Sequence, residues 1–240
     1  MAAAAARVSA IDAEHRSRGV MSAQLTGRTI YPQFRRWRIS GAFHHAHERV
    51  RFAVRSAEGR SVDPTAAILD SQTARTTGIG GPARGYDGAK RAKGRKRHLL
   101  VDTLGLILLV CVHAADLPDR TGAQMLLSTT TQSLLPQLEL VWADAAYAGT
   151  FAAQLEAERG RHLEVPRHPD RQLWRYGLKE KPKNAFRVLP RRWVIERTFA
   201  WLDQSRRLCR DYEWLPQTSE TMIYAAMSRI MLKRLARSAA

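Results

Sequence analysis

A mixed α/β sheet is the fold class predicted by this sequence, on three observations. Short apolar runs of strand length recur at 66–70, 98–102, 106–113 and 138–143, with stretches of helical spacing after them. Thr103-Leu104-Gly105 has turn chemistry between two of those runs, which makes them a strand pair. The chain has 240 residues, 45% of them hydrophobic, enough for one sizeable core.

Taken in order, residues 1–30 have weak periodicity and many small residues, and are predicted irregular. Tyr31 to Gly41 mixes aromatics with arginines and opens a helical segment through His44, His45, His47 and Val50 to Val54. No acid or cysteine cluster accompanies these histidines, so they are read as surface residues. Ala66 to Asp70 is a short buried strand ending in a carboxylate. His98–Asp102 and Leu106–His113 follow as the strand pair, the second apolar enough at 109–111 to be buried on both faces. Thr121–Leu135 has helical length, with Met125, Leu126 and Leu134 to bury. Leu138–Ala143 is the next strand and is followed by Asp144. Phe151–Arg159 reads as a helix and His162–Val165 as a brief strand. Residues 166–190, basic and interrupted by Pro169, Pro182 and Pro190, read as a loop. Val194, Ile195, Thr198, Phe199, Trp201 and Leu202 have helical spacing, as do Met222, Ile223, Ala226, Ile230 and Leu235 in a last helix over 219–237.

The charge balance points to a partner class. Thirty-nine Lys and Arg against 22 Asp and Glu leave a net charge of +17, which on a folded chain suits a polyanion, nucleic acid first. The excess is uneven. Residues 98–158 hold one basic residue, Arg120, against seven acids, a net −6, so the rest carries +23. The two densest basic stretches are 75–97, interleaved with glycines, and 159–197. The first has no Gly-x4-Gly-Lys-Ser/Thr pattern, which excludes a nucleotide-hydrolysing phosphate loop. A flexible basic hairpin gripping DNA phosphates is the expectation there. No apolar run approaches the ~18 residues of a membrane span. Two cysteines, Cys111 and Cys209, suit a reducing compartment and cannot build a disulfide framework.

Three carboxylates stand out by position. Asp70 and Asp144 close strands, and Glu196 lies in the aromatic-rich helix. Strand-end acids of an α/β sheet face the crevice where ligands bind. Three converging there would repel unless a divalent cation neutralised them, and hard oxygen ligands select Mg²⁺ or Mn²⁺. Two such ions would clamp the attacking and leaving oxygens of a phosphodiester displacement. Each acid also has a plainer reading: Asp144 as a cap, Glu196 as a partner of Arg192, with Asp102, Asp116 and Asp119 as rivals. Trp193 and Trp201 are read as stacking platforms for an unpaired base or as core.

Several blocks carry a resemblance. Asp70-Ser71-Gln72, Gly85-Tyr86-Asp87-Gly88-Ala89-Lys90, Lys93 to His98 with Leu99-Leu100-Val101-Asp102, Trp142 to Gly149, Arg191 to Leu202, Arg206-Arg207-Leu208 and Asp211-Tyr212-Glu213 resemble bacterial insertion-sequence transposases of the IS-five family. The resemblance runs in consistent order from about Tyr31 to Arg237. It implies a ribonuclease-H-like mixed sheet flanked by helices, and an Asp-Asp-Glu triad on Asp70, Asp144 and Glu196. It also implies two Mg²⁺ or Mn²⁺ ions held by those three residues, and cleavage and strand transfer of double-stranded DNA at the element's terminal inverted repeats and its target. The expected phosphate contacts are Lys90, Lys93, Arg95, Lys96, Arg97, Arg192, Arg197, Arg206 and Arg207. A homodimer on DNA and a bacterial, nucleoid-associated cytoplasmic location follow from the same resemblance, with no membrane partner.

Two positions depart from the family pattern. Residues 1–30 do not look like the family's longer helical N-terminus, which suggests a truncated or altered copy. Asp203 stands where related groups place a basic residue seven positions after the glutamate. The expected organisation is an irregular extension over 1–30, a remnant of the helical DNA-binding region over 31–62, and the catalytic domain over 63–240. The alternative function is a catalytically inactive remnant that only binds DNA.

Overall fold

Alternation of apolar side chains along three adjoining strands sets the architecture. The computed structural model describes residues 27–78, 80–128, 134–165, 176–178, 180 and 191–238. Strand β1 (Ala66–Arg75) pairs antiparallel with β3 (Ala92–Asp102), which pairs antiparallel with β4 (Ile107–Ala114). On its other side β1 pairs parallel with β5 (Leu140–Trp142), and β5 pairs parallel with β6 (His162–Glu164). Short β2 (Gly85–Asp87) forms a hairpin with the start of β3. Across the sheet the order is β4–β3–β1–β5–β6, an antiparallel three-strand meander extended by two parallel strands. This is the mixed α/β sheet that the sequence predicts.

Period-two alternation gives the sheet two apolar faces. Ile68, Leu99, Val101 and Trp142 point to one, where they meet helices α2 (Ala42–Ala57), α5 (Trp193–Asp203) and α6 (Pro216–Ser238). Ala67, Leu69, Leu100 and Val141 point to the other, covered by α3 (Asp119–Leu126) and α4 (Thr150–Arg159). Among the described residues no helix is long and apolar enough to cross a membrane.

The helical segment expected over 31–54 is two helices, α1 (Gly27–Ile39) and α2. The break falls at Ser40-Gly41, where Gly41 has a φ of 71°, a conformation that costs glycine nothing and other residues more. By compactness the chain divides at the same place, α1 belonging to a unit ending at Ser40 and α2 to the unit beginning at Gly41. The expected boundary at residue 62 falls between α2 and β1. Helix α2 packs along α6 and buries His47, Arg51, Val54 and Arg55, so His47 is no surface histidine: its Nε2 donates to the Ile107 carbonyl at 2.7 Å. The irregular stretch expected over 1–30 lies outside the described residues up to 26, and its last four residues are helical. The loop expected over 166–190 also lies almost wholly outside them.

Two strands are longer than their apolar runs. β1 continues five residues past Asp70, and β3 starts six residues before His98, so Asp70 is in mid-strand rather than at a strand end. The reason is a set of buried cations. Arg95, fully buried, donates to the carbonyls of Ala83, Glu213 and Trp214 at 2.7–2.8 Å and pairs with Asp211 at 3.2 Å. Arg97, 1% exposed, donates to the carbonyls of Leu208 and Arg210. Lys96 reaches the Leu117 carbonyl and the Asp119 carboxylate. These three side chains fasten the 208–214 segment and the start of α3 onto the sheet. These three, expected to contact DNA phosphates, have buried side chains bonded within the chain.

The helix expected over 121–135 is described only as α3, ending at Leu126. Of the three residues assigned to its core, Leu126 is buried while Met125 and Leu134 are exposed. Gly122 in α3 sits so close to the buried His98–His113 pair that a Cβ would come within 2.3 Å of His113 Nε2. The rival acid Asp102 is also structural. It is fully buried, accepts from the backbone N–H groups of Leu104 and Leu106 at 2.9 Å, and pairs with Arg55.

Removing one partner of a buried pair strands the other charge at a cost of about 3–5 kcal/mol. Asp102→Ala and Arg95→Ala are each expected to lower unfolding free energy by that order in urea titrations. Lys93→Ala, on the exposed face of the hairpin, is expected to change it by less than about 0.5 kcal/mol.

Candidate active site

The β1–β5 register brings two carboxylates together. Ile68 is paired with Trp142 on parallel strands, and two residues further along each chain stand Asp70 and Asp144. Asp70 shares the sheet face of Ile68, toward α5, and the charge of Asp144, two residues past the end of β5, reaches it. Asp144 keeps an extended backbone (φ −81°, ψ 177°) and caps the 3-10 turn Ala145–Tyr147, its Oδ1 accepting from Ala146 N at 2.8 Å. The capping reading and the site reading of Asp144 are thus compatible, because its second oxygen is not used by the cap.

Asp70 is half-buried and accepts one bond, from its neighbour Ser71 N at 2.7 Å. Burial, with the negative charge of Asp144 adding to it, pushes its carboxyl up to about 6. The Ser71 N–H and the charges of Arg192 and Lys90 pull the other way without cancelling that rise. Buried beside a second carboxylate, the Asp70 charge is undercompensated, the condition a cation relieves. As hard oxygen donors side by side, the two carboxylates fit Mg²⁺ or Mn²⁺.

Consecutive residues at the start of α3 hold both aspartate-bearing segments. Asp119 Oδ1 accepts from Ser71 Oγ and from Lys96 Nζ, each at 3.1 Å, while Arg120 Nε donates to the Ala146 carbonyl at 2.9 Å. One helix end thus braces the residue after Asp70 and the turn after Asp144. Sequence reading missed this role: Asp119 figured only as a rival acid and Arg120 only in a charge count. The available signal was Pro118 followed by an acid at a helix start.

Glu196 is exposed in the first turn of α5, and among the described residues no three His, Cys, Asp or Glu side chains form a metal-holding group. The α5 residue whose charge reaches Asp70 is Arg192, one turn earlier. Asp203, at the far end of α5, accepts from Gln72 Nε2 at 3.1 and 3.3 Å and ties the helix to β1.

Of the other expected phosphate contacts, Lys90 is exposed beside the pair, its Nζ 3.4 Å from the Ser71 carbonyl, and Lys93 is exposed on the β2–β3 hairpin. Arg95, Lys96 and Arg97 are buried, as described above. Arg197 lies between Trp193 and Trp201, 4.5 and 4.6 Å from their ring centres, and donates to the Leu104 carbonyl. Arg206 is exposed, and Arg207 is held by Glu213 at 2.7 Å.

No curated protein matches the chain. Among solved structures, it is similar to the HTLV-2 integrase catalytic core domain, solved in complex with magnesium in a dimeric form. The identity is 14%, the TM-score 0.30, and the alignment covers 68% of this chain and 98% of that one. Residues 62–231 match the family described as the transposase DDE domain. That span opens just before β1, includes Asp70, Asp144 and Glu196, and closes within α6; the chain belongs to the family of transposase DDE domains.

Proposed function

We propose that this chain is a DNA transposase of the IS-five type that cuts and rejoins phosphodiester bonds at its Asp70–Asp144 pair, with Glu196 as the third carboxylate. The observation that carries the proposal is the parallel pairing of Ile68 with Trp142, two residues before Asp70 and Asp144, together with the undercompensated charge of buried Asp70 beside Asp144. Glu196 lies four residues after Arg192, the cap of α5 whose charge reaches Asp70, which supports its assignment. Divalent Mg²⁺ or Mn²⁺ ions held by these carboxylates would supply activation of water or a 3′-hydroxyl and stabilisation of the leaving oxygen.

The chain's own groups do the rest. Arg192 and Lys90 offer positive charge to the scissile phosphate. Asp119 and Arg120 keep the two aspartates at a fixed separation. The substrates are the element's terminal repeats and target duplex, and joining two ends favours a homodimer on DNA. An inactive copy that only binds DNA is the second reading, favoured by the absence, among the described residues, of a three-ligand metal group.

A nicking assay on plasmids carrying the cognate terminal repeats separates the two. Cleavage is expected with Mg²⁺ and not with EDTA, and Asp70→Asn and Asp144→Asn are each expected to lower it by roughly 100-fold or more. A Glu196→Gln chain that cleaves at the parent rate would remove Glu196 from the site. No cleavage under any metal, with DNA binding retained, would leave the inactive reading standing.

Protonation of Asp70 competes with metal, so cleavage is expected to fall as pH drops through about 6. Stability of the metal-free chain moves oppositely. The native Asp70 holds its proton more tightly than the unfolded chain, whose value is near 3.8, so this group's contribution falls as pH rises from about 4 to 6. Asp70→Asn is expected to flatten that slope in thermal melts across the same range, and an unchanged slope would contradict the charge deficit.

A further inference from the structure

A second basic feature lies away from the carboxylate pair. Helix α5, helix α6 and the β3–β4 turn enclose an open groove of about 710 Å³. Leu104, Leu106 and Met231 form apolar parts of its lining, and among the described residues no Asp or Glu lines it. Helix α6 contributes Arg229, Lys233 and Arg237, all exposed and four residues apart, so they follow one another along a single stripe at about 6 Å intervals. After Glu220 this helix contains no acid. Arg234, between them, is held by Glu58 at 2.7 Å and is not available to a ligand in the same way. On the facing wall Arg197 is locked between two indoles, and its Nε is buried without a hydrogen-bond partner. Burial and the charge of Arg234 push the Arg197 guanidinium below its usual range, the mark of positive charges crowded together.

We propose that this groove is a binding site for the phosphate backbone of duplex DNA, contacted by Arg229, Lys233 and Arg237. The proposal rests on the DNA-processing reading above, but the site is separate from the carboxylates and needs no metal. Charge complementarity selects the occupant. A nucleic-acid strand presents a charge about every 3.4 Å of axis, so a row of cations at about 6 Å meets alternate phosphates. The apolar lining accepts sugar edges between them. Because α5 carries Arg192 toward Asp70 and Arg197 into the groove, a duplex held here passes beside the reacting site, with α5 between the two.

The test is fluorescence anisotropy of a labelled duplex of arbitrary sequence with the full chain in EDTA, over a salt series. Arg229→Gln/Lys233→Gln/Arg237→Gln is compared with a control of equal charge loss at exposed sites outside the groove, Arg49→Gln/Arg60→Gln/Arg210→Gln. The groove variant is expected to bind at least tenfold more weakly than the control. Its plot of log affinity against log salt is expected to be shallower than the parent's by about 2–3, near 0.9 for each phosphate lost. Parent-like affinity and slope in the groove variant, equal losses in both triple variants, or competition by polyglutamate as strong as by unlabelled duplex would each overturn the proposal. Plasmid nicking is read in parallel. Lost cleavage with groove-dependent binding intact would defeat the transposase reading alone, and intact cleavage with groove-independent binding would defeat the groove alone.

Discussion

Like charges close together are an unfavourable arrangement, and the parallel pairing of β1 with β5 leaves Asp144, just past the end of β5, acting on Asp70. Everything nearby bears on how that repulsion is held. The apolar residues two positions earlier, Ile68 and Trp142, commit both strands to the same core face, so neither can slip by one residue without exposing them. Asp119 and Arg120 then brace the polar continuations of both strands from one helix end. The buried Asp70 carboxylate is thereby held within the sheet beside a second negative charge.

The positive charge of the chain divides into two populations with opposite roles. Arg51, Arg55, Arg95 and Arg97 are inside, donating to carbonyls or pairing with Asp102 and Asp211. The guanidinium fork suits this role, since it reaches several carbonyls at once and so joins segments far apart in sequence. A second population stays at the surface, on the β2–β3 hairpin and along α6. Net charge of +17 therefore overstates what is available to a polyanion and says nothing about where it is presented.

Much of the sheet was legible because its strands alternate or are continuously apolar. The 98–102 and 106–113 pair, its turn, and the helices at 151–159, 193–203 and 216–238 all follow from local pattern. The ends of β1 and β3 did not. Ser71-Gln72-Thr73 and Lys93 to Arg97 are polar, and polar residues read as loop until their partners in the distant 208–214 segment are known. The continuous helix expected through residue 41 failed at a single glycine whose positive φ has no signature in periodicity.

Strand-following acids could be nominated from sequence because few carboxylates interrupt apolar runs, and Asp70 and Asp144 stood out for that reason. That these two meet was decided by parallel pairing across seventy residues of chain, a contact no local pattern encodes. Sequence alone also determined the fold class and the excess of cations. Which arginines are buried ties and which stay exposed was decided only by the tertiary structure, because burial depends on what packs above a strand rather than on the strand's own residues.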